Sequence, residues 1–255
     1  MEVISSLENP QIKKLKSLNE KKFRKFYGEY VVEGEKCVRE ALFSGAKLTK
    51  LFVSESRQEE YADIIKQCPE KTTILADKLF GKIADTVNPQ GILAQIEMRP
   101  SEDFVISGKP FLVLDRIADP GNLGTIIRSA VATGFNDIVL IDTVEPYNPK
   151  TVRASSSGIF FANFYPLETS DLIKKCKESG TEILVADMAG KNVFKLNKPT
   201  SDYCLVICNE ANGASKEILD GADKIISLPM RPEMESLNAG VCASVLMYEF
   251  GKDNF

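Results

Sequence analysis

Apolar and polar residues recur along the chain with changing periods, and the changes divide it into segments. Between residues 9 and 26, Ile12, Leu15, Leu18, Phe23 and Phe26 recur at spacings of mostly three among polar neighbours, which predicts a helix or helix pair with one buried stripe. YVVEGEKCVREALFSG predicts a short strand, a helix from about Gly34 to Ser44 and a stop at Gly45. KLTKLFVSE, TTILAD and GILAQIEM read as strands, and SRQEEYADIIKQ and DKLFGKIADT as helices. Residues 1–100 thus form a small α/β domain. The stretch 101–110 follows Pro100 and carries Gly108 and Pro110, so it is expected to be a linker.

From Phe111 onward the alternation is more regular. FLVLDRI, FNDIVLID, FFANFYPL, EILVADM, CLVICNE and KIISLPM read as six strands, several apolar throughout, as parallel strands covered on both faces should be. SLNAGVCASVLMYEF is long enough for a closing helix and rich in small residues. The expected fold class is α/β, with a six-stranded parallel-sheet domain over residues 111–255.

Composition narrows the chemistry. The 255 residues include no histidine, which removes Ser-His-Asp and Cys-His nucleophile systems, imidazole bases and histidine-ligated metals. No metal site is expected. Six scattered cysteines with no C-x-x-C pair read as reduced, mostly buried thiols. The first residues lack a signal-like apolar run and no segment approaches the roughly 18 apolar residues of a spanning helix, so a cytoplasmic protein with no membrane partner is expected. Net charge is −4, yet residues 9–26 carry about +6 from Lys13, Lys14, Lys16, Lys21, Lys22, Arg24 and Lys25 against Glu20. Such a run is either a solvated face or an arm that neutralises phosphates.

Neither G-x-G-x-x-G after a strand nor G-x-x-x-x-G-K-[ST] occurs, which disfavours dinucleotide dehydrogenases and P-loop ATPases. Three loops after strands carry unusual polar groups, where sheets of this kind bind ligands. In DRIADPGNLGTIIRSAVATGF, Asn122 is placed to cap a helix that ends at Gly134, with Arg128 in its middle. In LVICNEANGAS, a buried strand runs into Asn209 and Glu210, a carboxylate that needs a partner such as arginine. In ISLPMRPEMESLNAG, Ser236 or Asn238 can cap the last helix, and Ala239, Gly240 and Ala243 leave room for close packing.

Together these segments resemble the SpoU family of RNA ribose methyltransferases, the TrmH/SpoU branch of the knotted SPOUT superfamily. The first motif looks like Asn122, Arg128 and Gly134; the second is similar to Cys208 through Gly213; the third matches Leu228-Pro229-Met230 and Ser236-Leu237-Asn238. NPKTVRASSSGIFF, which contains Arg153, resembles the family's segment after the second strand. EYVVEGEKCVREAL looks like the small substrate-binding domain of many members, related to ribosomal RNA-binding proteins. Cys208 and Ala211 stand where the family usually has glycine, and Arg231–Glu235 replaces a loop that commonly contains one.

The resemblance implies a deep trefoil knot in the C-terminal domain, S-adenosylmethionine as cofactor, and methyl transfer to a ribose 2′-hydroxyl of structured RNA, ribosomal RNA before transfer RNA. Alternatives are a base-methylating knotted enzyme and an inactive RNA-binding or assembly protein. Carried onto this chain, Asn122, Arg128, Glu210, Ser236 and Asn238 are the implied catalytic set. Arg128 would anchor RNA and stabilise the developing alkoxide, with Glu210 holding its guanidinium. Cys208, Leu228 and Leu237 are the implied cofactor positions, acting largely through main chain. The basic arm and Arg153 become candidate RNA contacts, and a homodimer through the catalytic domain is implied.

Overall fold

The protein is described by a computed structural model covering residues 3–100, 102–197, 199, 202–209, 213–234 and 236–251. Two compact units emerge: Met1–Arg99 with Tyr147–Phe160, and Pro100–Pro146 with Phe161–Phe255.

The first unit contains β1 (Val3–Ile4), α1 (Pro10–Ser17), α2 (Lys21–Tyr27), β2 (Glu29–Glu33), α3 (Glu35–Phe43), β3 (Leu48–Ser54), α4 (Ala62–Gln67), β4 (Thr72–Leu75), α5 (Asp77–Ile83) and β5 (Ile92–Glu97). Its sheet has the order β1-β4-β3-β5-β2, parallel at β1-β4 and β4-β3 and antiparallel at β3-β5 and β5-β2. The apolar spacing of three in the arm corresponds to two helices. Asn9 caps α1 by accepting from the Gln11 amide at 2.9 Å, Pro10 opens it, and Ile12 and Leu15 join Phe52, Leu75, Leu79, Phe80 and Leu93 in one core. Where SRQEEYADIIKQ predicts one helix, only Ala62–Gln67 is α-helical. Tyr61 is buried and donates its hydroxyl to the Gln90 carbonyl at 2.8 Å, a tertiary anchor that overrides local propensity.

Residues 147–160 belong to this unit although the sequence places them within the second α/β run. The Tyr147 ring packs on Tyr30 at 4.7 Å, and Arg153 pairs with Asp85.

The second unit holds β6 (Phe111–Asp115), α6 (Pro120–Thr133), β7 (Asp137–Ile141), β8 (Asn163–Pro166), α8 (Thr169–Ser179), β9 (Glu182–Asn192), β10 (Tyr203–Cys208), α9 (Lys216–Asp220), β11 (Lys224–Ser227) and α10 (Ala239–Gly251); α7 (Pro149–Ala154) lies in the inserted segment. All six strands are parallel, in the order β11-β9-β10-β6-β7-β8, as the apolar runs predict. Val113, Val139, Val185 and Val206 face Leu172 and Cys176 of α8 and Ile218 of α9. The alternate register, including Leu112, Leu114, Leu205 and Ile207, is buried as well, and Tyr203 donates to the Phe250 carbonyl of α10 at 3.2 Å. Phe104, within the expected linker 101–110, is buried against the Phe111 and Tyr165 rings. No helix among the described residues is long and apolar enough to cross a membrane.

One irregularity shapes the site. β11 pairs with Val185 through Ile225 and then with Lys191 through Ile226, so Ala186–Gly190 leave the regular register. Gly190 passes so close to β11 that an added Cβ would lie 2.5 Å from the Ile226 backbone. Gly190→Ala should therefore lower the unfolding free energy by about 1–3 kcal/mol in urea titrations. Gly81→Ala in α5, whose Cβ would meet nothing within 4 Å, should cost nothing; equal costs at both sites would contradict this packing.

Candidate active site

The site begins where β6 ends in a charged pair. Asp115 is 1 % exposed, and the Arg116 guanidinium reaches both its carboxylate oxygens at 3.1 Å while donating to the Gly213 carbonyl at 2.9 Å. Asp115 also accepts from the Ser215 amide at 3.1 Å, and Asn209 donates its side-chain amide to the Arg116 carbonyl at 3.0 Å. Arg116 has φ 58°, a left-handed conformation rare outside glycine and costly unless surroundings impose it. Asp115 raises the Arg116 pKa further, so the guanidinium stays charged. Both ends of the loop after β10 are thus fastened to the end of β6. Glu210, Ala211 and Asn212 lie outside the described residues.

Beside this clamp is a cleft of about 370 Å³, within the size range of small-molecule sites. Cys208, Leu228 and Leu237 all line it, together with Ser236, Asn209 and Gly213. The β9 excursion contributes Ala186, Asp187 and Met188, and α10 contributes Ala239, Cys242 and Leu246. Ser227 ties β11 to the excursion by donating to the Gly190 carbonyl at 2.9 Å. Among the described residues Asp187 is the one charged side chain in the lining, and one of its oxygens already accepts from the Ala189 amide at 2.9 Å. Burial pushes the Cys208 thiol well above its ordinary pKa, with the Asp115 carboxylate adding to the effect, and burial raises Cys242 as well. Both line the cleft as neutral thiols at physiological pH.

The first and third motifs meet along α6 and α10. Asn238 donates to the Asn122 side-chain oxygen at 2.8 Å and accepts from the Val241 amide at 3.2 Å, so it caps α10 while bridging to α6. The contact continues where Gly240 lies against Thr125 and where Ser129 and Ser244 share a hydrogen bond of 2.7 Å. Asn122 does not cap α6 as expected; Asp119 does, accepting from the Asn122 amide at 2.8 Å. Pro120 explains the difference, because proline favours the first helical position and makes its predecessor the cap. Gly134 ends the helix with φ 84°, as expected. Arg128 is exposed on α6, does not line the cleft, and makes no ion pair among the described residues.

The basic arm divides on inspection. Arg24 is a correction: it is 2 % exposed and donates to the Leu18 carbonyl at 2.8 Å, so it serves the fold and is not available to a phosphate. Lys14 pairs with Glu29 at 2.9 Å, Lys13 with Glu8 at 2.5 Å and Lys22 with Glu20 at 3.0 Å. Lys16, Lys21 and Lys25 are exposed and form no ion pair among the described residues. Asp115, Arg116, Asp187 and Cys242 are site residues that sequence reasoning missed. A carboxylate at a buried strand end followed by arginine was the available signal for the first two.

A six-stranded parallel sheet with a small-molecule cleft beyond its strand ends, preceded along the chain by a small mixed-sheet unit, defines a class of two-unit α/β proteins. The SpoU rRNA methylase family model matches residues 109–248, and an MRM3-like substrate binding domain matches residues 9–94. An uncharacterized tRNA/rRNA methyltransferase of Synechocystis is 30% identical over 96% of this chain and 92% of its own. The 23S rRNA (guanosine(2553)-2′-O)-methyltransferase RlmP of Bacillus subtilis is 29% identical over 97% and 98%. Among solved structures, an AdoMet-bound rRNA methyltransferase from Sinorhizobium meliloti superposes with a TM-score of 0.88 at 27% identity, covering 100% of this chain and 98% of that one. The AdoMet complex of AviRb from Streptomyces viridochromogenes gives 0.84 at 25%, covering 97% and 98%. The chain belongs to the SpoU rRNA methylase family.

Arg116→Ala should free the Gly213 carbonyl and leave Asp115 buried without its counter-charge. Amide exchange at Asn209, Gly213 and Ser215 is then expected to quicken by about tenfold or more, with β7 and β8 unchanged. Unchanged exchange at those three amides would contradict the clamp.

Proposed function

We propose that this chain transfers the methyl group of S-adenosylmethionine to a ribose 2′-hydroxyl of structured ribosomal RNA in the cytoplasm. The observation that carries the reading is the convergence of the motif loops: Cys208, Asn209, Leu228, Ser236 and Leu237 line one cleft, and Asn238 reaches Asn122 at its edge. The cleft fits the cofactor by its size, its largely apolar lining and its single described carboxylate, suited to a cation or a ribose diol. Bound there, S-adenosylmethionine supplies an already electrophilic methyl group.

The protein's own work is alignment, proton management and exclusion of water. Asn122, fixed by Asn238, holds the start of α6, and Arg128 projects from that helix toward solvent. Its pKa above about 12 makes a guanidinium a poor base, so its role is to anchor a phosphate and stabilise the developing alkoxide. Glu210, Ser236 and Asn238 complete the polar set. Cys208 and Cys242 are close enough to the cleft to compete for the methyl group; held as neutral thiols, they are weak nucleophiles.

The relative named for a 23S rRNA 2′-O-methylation favours ribosomal over transfer RNA. The N-terminal unit, with Lys13, Lys14, Lys16, Lys21, Lys22, Lys25 and Arg153 on it, would read the RNA, and the C-terminal segment would pass through the family's trefoil knot. Val241, Val245 and Tyr248 form an exposed apolar stripe at spacings of four and three on α10, which favours a homodimer through this unit with Arg128 near the interface.

Labelled methyl transfer to total RNA from cells lacking the gene, followed by nucleoside analysis, tests the reaction. A 2′-O-methylnucleoside is expected; a methylated base or no incorporation would overturn the proposal. Arg128→Ala should lower turnover by about 100-fold or more while changing S-adenosylmethionine affinity less than about threefold; parallel loss of both would remove Arg128 from its role. Tyr248→Glu with Val245→Glu should yield a monomer by light scattering and impair transfer, whereas a fully active monomer would sink the dimer.

A further inference from the structure

Helix α2 is turned inside out at two positions. Arg24 is 2 % exposed, with its guanidinium on the Leu18 carbonyl, whereas Phe26 is 78 % exposed. At 100° per residue, Lys21, Lys25, Lys22 and Phe26 occupy one continuous outward arc, and Phe23, Tyr27 and Arg24 occupy the other. Lys21, Lys22 and Lys25 are all exposed. The neighbouring aromatics are themselves engaged: the Lys22 ammonium sits 4.6 Å from the Phe23 ring, the Lys14 ammonium 4.9 Å from Tyr27, and Phe26 meets Tyr27 at 4.9 Å with the rings nearly perpendicular. A lone exposed apolar residue needs no explanation. A phenylalanine on the same outward arc as three exposed lysines, on a helix that buries an arginine instead, combines a stacking face with charges that attract phosphates.

We infer that Phe26 is a stacking platform for an unpaired nucleotide of the RNA, with Lys21 and Lys25 holding the flanking phosphates. The inference rests on the RNA-methylating reading and adds that the N-terminal unit engages a single-stranded element, such as a loop or bulge, in addition to paired helix. Charge complementarity selects a polyanion, and the ring selects one whose bases are unstacked. Recognition by stacking tolerates different bases and contributes about 1–3 kcal/mol per base, which is about five- to 150-fold in affinity.

The test uses the full chain and two RNA probes of equal length: a hairpin with 2-aminopurine in its loop, and a fully paired duplex. The native protein is expected to bind the hairpin more tightly and to quench its fluorescence. Phe26→Ala should weaken hairpin binding at least about fivefold and abolish the quench, leaving duplex binding unchanged, while Phe26→Trp preserves both. Lys21→Ala with Lys25→Ala should weaken both probes and flatten the salt dependence. Hairpin binding unaffected by Phe26→Ala, equal loss on both probes, or no binding of either probe by the native chain overturns the inference. S-adenosylmethionine binding and methyl transfer to total RNA, measured in parallel, separate that outcome from failure of the proposed reaction.

Discussion

Gly240 presents no side chain to Thr125, and this close approach lets α10 lie along α6 with Asn238 at hydrogen-bonding distance from Asn122. The rest of the C-terminal site depends on that contact. Residues 122 and 238 come from opposite ends of the unit, and the cleft wall formed by Ala239, Cys242 and Leu246 exists because α10 is held there. At its far end the same helix leaves no room for a side chain at Gly251, whose added Cβ would fall 2.9 Å from the Thr133 carbonyl. Small residues at both ends, and a serine pair between them, set the spacing of the two helices.

A second fastening works from the opposite wall. The Asp115–Arg116 pair holds Gly213 and Ser215, and the β9 excursion is held by Ser227 and by the absence of a side chain at Gly190. The cleft is thus framed by backbone held in unusual conformations, while the side chains facing it are plain. This arrangement suits recognition of a nucleoside through main-chain groups, and it accounts for cysteines in the lining: small, apolar when protonated, and kept protonated by the same burial that shapes the cleft.

Much of this was legible in the sequence, and the exceptions have physical causes. Six apolar runs announced six parallel strands because both faces of the sheet are covered; the spacing of three in the arm announced a helix or helix pair with one buried stripe, and the structure has the pair but leaves Phe26 of that stripe exposed. The pattern could not tell that Arg24 points inward, since a charge run reads as a solvated face whichever member is buried. Asp119 rather than Asn122 caps α6, a distinction carried by Pro120. Sequence reasoning sought an arginine partner for the carboxylate at the end of β10, and the same logic applied to β6 would have found Asp115 with Arg116. The attachment of residues 147–160 to the first unit and the excursion of Ala186–Gly190 left no periodic signature, because both arise from tertiary packing of irregular backbone.

The proposed reaction requires that the cleft beside α10 receive S-adenosylmethionine. Calorimetric titration of the native chain and of Cys242→Trp, which places an indole inside the cleft but leaves Asn122, Arg128 and Asn238 untouched, tests this directly, with circular dichroism to verify that both are folded. Saturable binding by the native protein that is lost in the folded variant is the predicted result; undiminished binding by the variant would contradict it.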